Sequence, residues 1–300
     1  AVAAQVYDAD GNTVGSENQG NSFVHCNQDD VTVEALSDGG FIMLWESAWQ
    51  DGSGNGIYAQ RFDELGNKVG VEFQINSTTR GNKQDVSVTS LEDGSLVVMW
   101  EGRGDGDRHG IFGQRLDAQG NAIGDEFRIN YSTRGRQDDV SVSALEDGGF
   151  IAVWEGRGGH TSFGWLKGKD IFARQYDADG NAMGSEFKVN DFTFGTQEDA
   201  QVAGLSDGGY VIVWESRWQD GSGKAVVGQR YDALGNKVGD DFIVNSSTRG
   251  NQEDVDIAAL ADGGFVVTWE GKDGSGRGVY SQRYDADGNQ VSLEAKTIFE

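Results

Sequence analysis

The chain has 300 residues, and its 49 Asp and Glu against 24 Lys and Arg give a formal charge of −25. Such acidity excludes the electrostatic footprint of a nucleic-acid or anionic-membrane reader, while an aromatic share of 10% is too high for a disordered acidic chain. No apolar run is long enough for membrane insertion, and the single Cys26 excludes an internal disulfide framework or a four-cysteine zinc site.

The chain repeats itself. Trp45-Glu46, Trp100-Glu101, Trp154-Glu155, Trp214-Glu215 and Trp269-Glu270 recur at spacings of 55, 54, 60 and 55 residues. Asp30, Asp85, Asp139, Asp199 and Asp254 keep those spacings, so whole units are repeated. In chain order, residues 1–21 form a half unit, because Val2–Asp8 and Gly11–Gly15 match only the second half of the consensus. Full units follow at 22–76, 77–130, 131–190, 191–245 and 246–300.

Each full unit predicts four short strands. In the first unit, Val31–Leu36 places apolar residues at alternate positions, as a half-buried strand does. Asp38-Gly39-Gly40 then makes a hairpin turn. Phe41–Trp45 is almost continuously apolar, as expected of a strand covered on both faces. Ile57–Phe62 runs into a D-x-x-G-N turn that calls for a left-handed Gly66, and Lys68–Ile75 completes the unit. Four antiparallel strands in about 50 residues is the size of one propeller blade. The expected fold is therefore all-β: residues 1–300 as a single β-propeller domain of five blades with an extra N-terminal hairpin, a six-blade ring being the alternative.

The unit, with its A-L-x-D-G-G-F-V-V-x-W-E, D-G-S-G-x-G and Q-R-Y-D-A-x-G-N-x-V-G segments, resembles repeats of large secreted bacterial proteins of the RTX and adhesin type. The resemblance covers nearly the whole chain and implies an extracellular or cell-surface setting, calcium and surface contact. Ala1–Ala4 lacks the regions of a signal peptide, so export implies a signal outside this sequence. At the level of fold, the repetition is also similar to five-bladed tachylectin-type lectins.

Three groups of residues are candidates for function. The loop between the second and third strands offers oxygens at alternate positions around tight glycine turns, which suits Ca²⁺. Its candidate ligands are Asp51, Ser53, Asn55, Asp105, Asp107, Asp220, Ser222, Asp273 and Ser275; the alternative is a plain polar turn. Trp49 and Trp218 break the strand alternation in the same loops, and with Gln50, Arg217, Gln219 and Trp165 they suit a sugar platform. The acidic opening of each unit (Asp29-Asp30, Asp85, Asp138-Asp139, Glu198-Asp199, Glu253-Asp254) reads as a carboxylate ring or as structural partners of backbone amides and arginines.

Near-identical units suggest near-identical pockets and weak sites that add through avidity. The expectation is a non-enzymatic, multivalent carbohydrate-binding module, with glycans or cell-surface polysaccharide as partners and self-association through the extra hairpin. A structural spacer is one alternative. A glycoside hydrolase is the other, set lower because equivalent acids in equivalent units lack the asymmetry that catalysis needs.

Overall fold

The computed structural model describes residues 1–104, 106–157, 168–273, 276–291 and 294–297. The described elements are all β-strands, without helices. They gather in two compact units, Ala1–Thr133 and Arg134–Glu300.

The first unit opens with a two-stranded hairpin, β1 (Ala3–Tyr7) and β2 (Thr13–Gln19). Two four-stranded antiparallel sheets follow. One comprises β3 (Gln28–Ala35), β4 (Phe41–Ala48), β5 (Asn55–Phe62) and β6 (Lys68–Gln74). The other comprises β7 (Lys83–Ser90), β8 (Leu96–Gly104), β9 (Asp107–Leu116) and β10 (Ala122–Arg128).

The second unit holds three such sheets. They are β11 (Gln137–Ala144) to β14 (Phe187–Lys188), with β12 (Phe150–Arg157) and β13 (Lys169–Tyr176) between; β15 (Gln197–Gly204), β16 (Tyr210–Arg217), β17 (Lys224–Tyr231) and β18 (Lys237–Ile243); and β19 (Gln252–Ala259), β20 (Phe265–Asp273), β21 (Gly276–Tyr284) and β22 (Ala295–Thr297). In every sheet the strands pair in chain order, each with the next.

The turns follow from their side chains. Asp63 Oδ1 accepts from the backbone N–H groups of Leu65 and Asn67, and Gly66 takes φ +80°, as the D-x-x-G-N signature requires. The Asn67 side chain and backbone hold the Asp63 carboxyl below its usual range. Arg61 donates to Asp38 at 2.7 Å, clamping the turn of its own sheet.

The first strand of every sheet carries a bulge. In the first sheet the register runs Asp29↔Glu46 and then Thr32↔Leu44, so one extra residue sits in β3. Asp30, Asp85, Asp139, Asp199 and Asp254 occupy these bulges with φ between +47° and +54°, and Asp is among the few residues that tolerate the left-handed region.

Apolar burial explains the layering. Trp45, Trp100, Trp154, Trp214 and Trp269, each on a second strand, are fully buried. Within the first unit, Leu36, Ile42, Leu44, Ile57 and Ala59 of one sheet pack on Val98, Trp100 and Phe112 of the next. The same pattern joins Leu145, Ile151 and Val153 to Ile212 and Trp214, and Leu205, Val211 and Val213 to Val267 and Trp269. Truncating such a tryptophan to alanine costs about 3–5 kcal/mol.

Candidate active site

The first strand of each sheet begins beside the end of the second, since Gln28 faces Ser47 and Asp29 faces Glu46 across the ladder. The acidic bulge, the Trp-Glu glutamate and the loop after the second strand therefore share one edge of the sheet. At that edge the glutamate reaches the next sheet. Glu46 accepts from the Asp85 backbone N–H at 2.9 Å, Glu155 from Asp199 at 2.5 Å and Glu215 from Asp254 at 2.7 Å. The strained bulge of one sheet is thus held by the buried carboxyl of its predecessor.

The residue facing this glutamate differs from unit to unit. Two positions before the third-strand residue that pairs with this glutamate across the ladder stand Asn55, His109, Lys169, Lys224 and Arg277. Lys169 Nζ lies 2.5 Å from Glu155 and 3.0 Å from Asp138, and Lys224 Nζ lies 2.7 Å from both Glu215 and Glu198. Burial alone lowers these ammonium groups, but the facing carboxylates outweigh it and hold them above the usual lysine range. Arg277 reaches Glu270 at 3.4 Å on a more exposed edge. At Glu46 the facing residue is Asn55, whose neutral amide donates to it at 2.8 Å. Burial pushes the Glu46 carboxyl up to about 7, the nearby Asp30 adds to the rise, and the bonds from Asn55 and Asp85 oppose it. Asp30 itself is exposed. Glu46 and Asp30 therefore form a contacting pair of carboxyl groups, one buried and neutral at mildly acid pH, one open to solvent.

The expected calcium ligands are held by amide donors. Asp51 accepts from Ser53 N–H and Gln74, Asp107 from His109 N–H and Asn130, and Asp220 from Ser222 N–H and Asn245. Ser53 and Ser222 each accept a backbone N–H of the following sheet, from Gly81 and Gly250. Asp105, Ser275 and the side chain of Asp273 lie outside the described residues. Carboxylates converge elsewhere: oxygens of Asp139, Glu155 and Asp199, and of Asp199, Glu215 and Asp254, lie within 4.8 Å of one another. Lysine ammonium groups already contact Glu155 and Glu215, and each described loop presents a single carboxylate, so this donor set does not fit Ca²⁺.

The two loop tryptophans also diverge. Both hold a left-handed backbone, φ +62° at Trp49 and +69° at Trp218, in loops closed by bonds such as Trp49 N–H to Gly54 O at 2.6 Å. Trp49 is 63% exposed. Trp218 is 38% exposed, carries the Arg217 guanidinium 4.6 Å over its ring and has Phe194 at 5.5 Å. Gln50 is fixed between Ser47 and Glu72, and Gln219 between Ser216 and Asp241. Among the described residues of this expected sugar platform, Trp49 alone presents a mostly open ring. Trp165 lies outside the described residues.

No family model and no curated protein sequence matches the chain. Solved structures share its fold. Penicillium chrysogenum α-L-arabinanase complexed with arabinobiose superposes with a TM-score of 0.62 at 15% identity, covering 95% of this chain and 86% of that one. A Dyadobacter fermentans protein of unknown function gives 0.62 at 12% identity, covering 91% and 83%. A family PL25 ulvan lyase bound to its glucuronate–sulfated rhamnose unit gives 0.60 at 10% identity, covering 94% and 72%.

These likenesses overturn the expectation of a non-enzymatic binding module: the solved structures of this fold include a glycan hydrolase and a polysaccharide lyase. The physical premise behind that expectation also fails. Equivalent glutamates do not sit in equivalent environments, because Asn55, Lys169, Lys224 and Arg277 face them differently. The signal was legible as a change of residue type at one position of the repeat, beside an unchanging Trp-Glu.

Proposed function

We infer that the protein is a carbohydrate-active enzyme, a glycoside hydrolase acting on an extracellular polysaccharide, whose four-stranded sheets are propeller blades. The observation that carries this reading is the Glu46–Asp30 pair, a buried carboxyl raised by its burial in contact with an exposed one, at a junction where the facing residue is a neutral amide and not the lysine that meets Glu155 and Glu215. Glu46 is the proton store and general acid for the leaving oxygen of the glycosidic bond. Asp30, open to solvent and in contact with Glu46, is too close to it to be the base on the opposite face of the sugar; it reloads Glu46 with a proton from solvent, while the attacking water loses its proton to solvent. Trp49 supplies an apolar platform for a sugar ring next to the pair. Glu155 and Glu215, matched to lysines, hold the bulges of neighbouring sheets and take no part in bond cleavage.

The test is reducing-sugar release from a panel of arabinans and uronate-containing polysaccharides, with ultraviolet absorbance followed in parallel for an unsaturated, lyase-type product. Glu46→Gln and Asp30→Asn are each expected to lower kcat by about 10²–10⁴, while Glu215→Gln leaves it within a small factor. A panel without turnover, or equal activity in Glu46→Gln and the parent, overturns the assignment.

A further inference from the structure

The face of β3 that carries Val31 and Val33 departs from its counterparts. In the later sheets Val140, Val142, Ala200, Val202 and Val255 are buried, and Val86, Val88 and Ile257 pack against a core. What covers Val86, Val88, Ala200, Val202, Val255 and Ile257 is the first and second strands of the preceding sheet, through Leu36, Ile42 and Leu44, or Leu145, Ile151 and Val153, or Leu205, Val211 and Val213. Val31 and Val33 are instead 54% and 59% exposed.

The outer half of the same sheet face is covered. Val2 packs with Met43, Trp45, Tyr58 and Phe62, with Ala4 and Phe41 alongside. Asn18 donates to Gly66 O at 2.8 Å, and Glu72 accepts from the Ser22 hydroxyl at 2.9 Å. The hairpin that does this, β1–β2, is the third-and-fourth-strand half of a repeat. Its Tyr7↔Thr13 pairing and its Asp8–Asn12 turn reproduce Phe62↔Lys68 and Asp63–Asn67. Among the described residues β1 pairs with β2 alone, so the edge where a second strand belongs is free.

A third observation concerns hydrogen bonding. The bulge N–H groups of Asp85, Asp199 and Asp254 each donate to the Trp-Glu glutamate of the preceding sheet. Asp30 has the same bulge geometry, φ +47°, and among the described residues no such glutamate accepts its N–H. The last sheet shows the converse on its own far side. Leu260, Val266 and Thr268 are only half-buried, whereas Leu205, Val211 and Val213 at the same repeat positions are buried.

We propose that Val31, Val33 and the free edge of β1 form a seat for one β-hairpin with the sequence of the first half of a repeat, Q-x-D-V-x-V-x-A-L-x-D-G-G-F-x-V-x-W-E. Its second strand pairs with β1, making β1–β2 the outer half of a four-stranded sheet. Its apolar face covers Val31 and Val33, and its terminal glutamate accepts from the Asp30 N–H. Free strand edges and bare apolar sheet faces are the features that drive such β-augmentation.

The test adds a synthetic peptide of residues 251–271 to the intact protein and follows amide hydrogen exchange. The expected result is at least about tenfold slower exchange in Ala3–Tyr7 and at Asp30. The same peptide with its Glu270→Gln change should protect Asp30 less, and a peptide of residues 276–291 should protect neither. Val33→Lys in the protein should abolish binding while leaving the unfolding transition in place. No protection by the 251–271 peptide overturns the proposal. So does a dimer in light scattering that Val33→Lys dissociates, because a second copy then occupies the face.

Discussion

The Glu46 and Glu215 junctions start from the same dipeptide, the same ladder position and the same bond to a left-handed aspartate. They differ in one facing residue. Lys224 gives Glu215 a counterion shared with Glu198, and the result is a closed electrostatic clamp. Asn55 gives Glu46 a neutral donor. Burial raises all three carboxyls, Glu46 to about 7 and Glu155 and Glu215 to about 8 with Asp139 and Asp199 adding to the rise, so the exchange of Asn for Lys changes the charge that faces the acid and not the direction of its shift. A repeat protein acquires an asymmetric site in this way: the backbone stays constant and one contact of a conserved acid is changed.

The largest effect is expected from removing the clamp. Lys224→Asn converts the second unit's junction to the chemistry of the first and leaves Glu215 and Glu198 without their counterion. Breaking a buried pair at one partner costs about 3 kcal/mol or more, read as a lower midpoint in urea unfolding. A loss below about 1 kcal/mol, the value of a surface pair, would mean that Asn serves as well as Lys and that the comparison has no energetic content.

The reverse exchange sharpens the comparison. Asn55→Lys should place an ammonium group against Glu46, as at Glu155 and Glu215, and remove activity without unfolding the chain. Glu46 also sets a pH dependence of stability. Glu46 titrates near 4.5 when unfolded and near 7 when folded, so folding takes up a proton in that window and stability falls as pH rises through it. The contribution is on the order of 3 kcal/mol. Chemical denaturation between those pH values should show the slope in the parent and a shallower one in Glu46→Gln, the remainder coming from Glu155 and Glu215.

The smallest effect concerns backbone strain. Cys26 is exposed and sits at φ +60°, where the other units have Gly81, Gly135, Gly195 and Gly250 at φ +83° to +92°. A non-glycine residue there costs about 1–2 kcal/mol, partly offset by the entropy of a more flexible unfolded chain. Cys26→Gly should therefore raise Tm slightly, corresponding to about 1 kcal/mol, and an unchanged or lower Tm would show that the left-handed Cys26 costs nothing.

The strands, turns and tryptophan core were legible in the sequence because each depends on neighbours in the chain. Alternation reports a half-buried strand, a continuous apolar run reports a second strand, and Asp-x-x-Gly-Asn carries its own hydrogen bonds. Loop side chains were less legible. Asp51, Asp107 and Asp220 look like calcium ligands beside their glycines, yet their partners are Gln74, Asn130 and Asn245, more than 20 residues further on. Trp49 and Trp218 read alike, and only the Arg217 and Phe194 contacts separate them.

By itself, then, the sequence determined the repeat, the four-strand unit, the left-handed turns and the buried tryptophans, since these follow from periodicity and local backbone chemistry. Tertiary structure decided which carboxyl meets which cation, which bulge amide has an acceptor and which sheet face is left bare. Those outcomes depend on contacts between sheets, where burial in a low-dielectric interior raises a carboxyl and makes the identity of the group facing it matter.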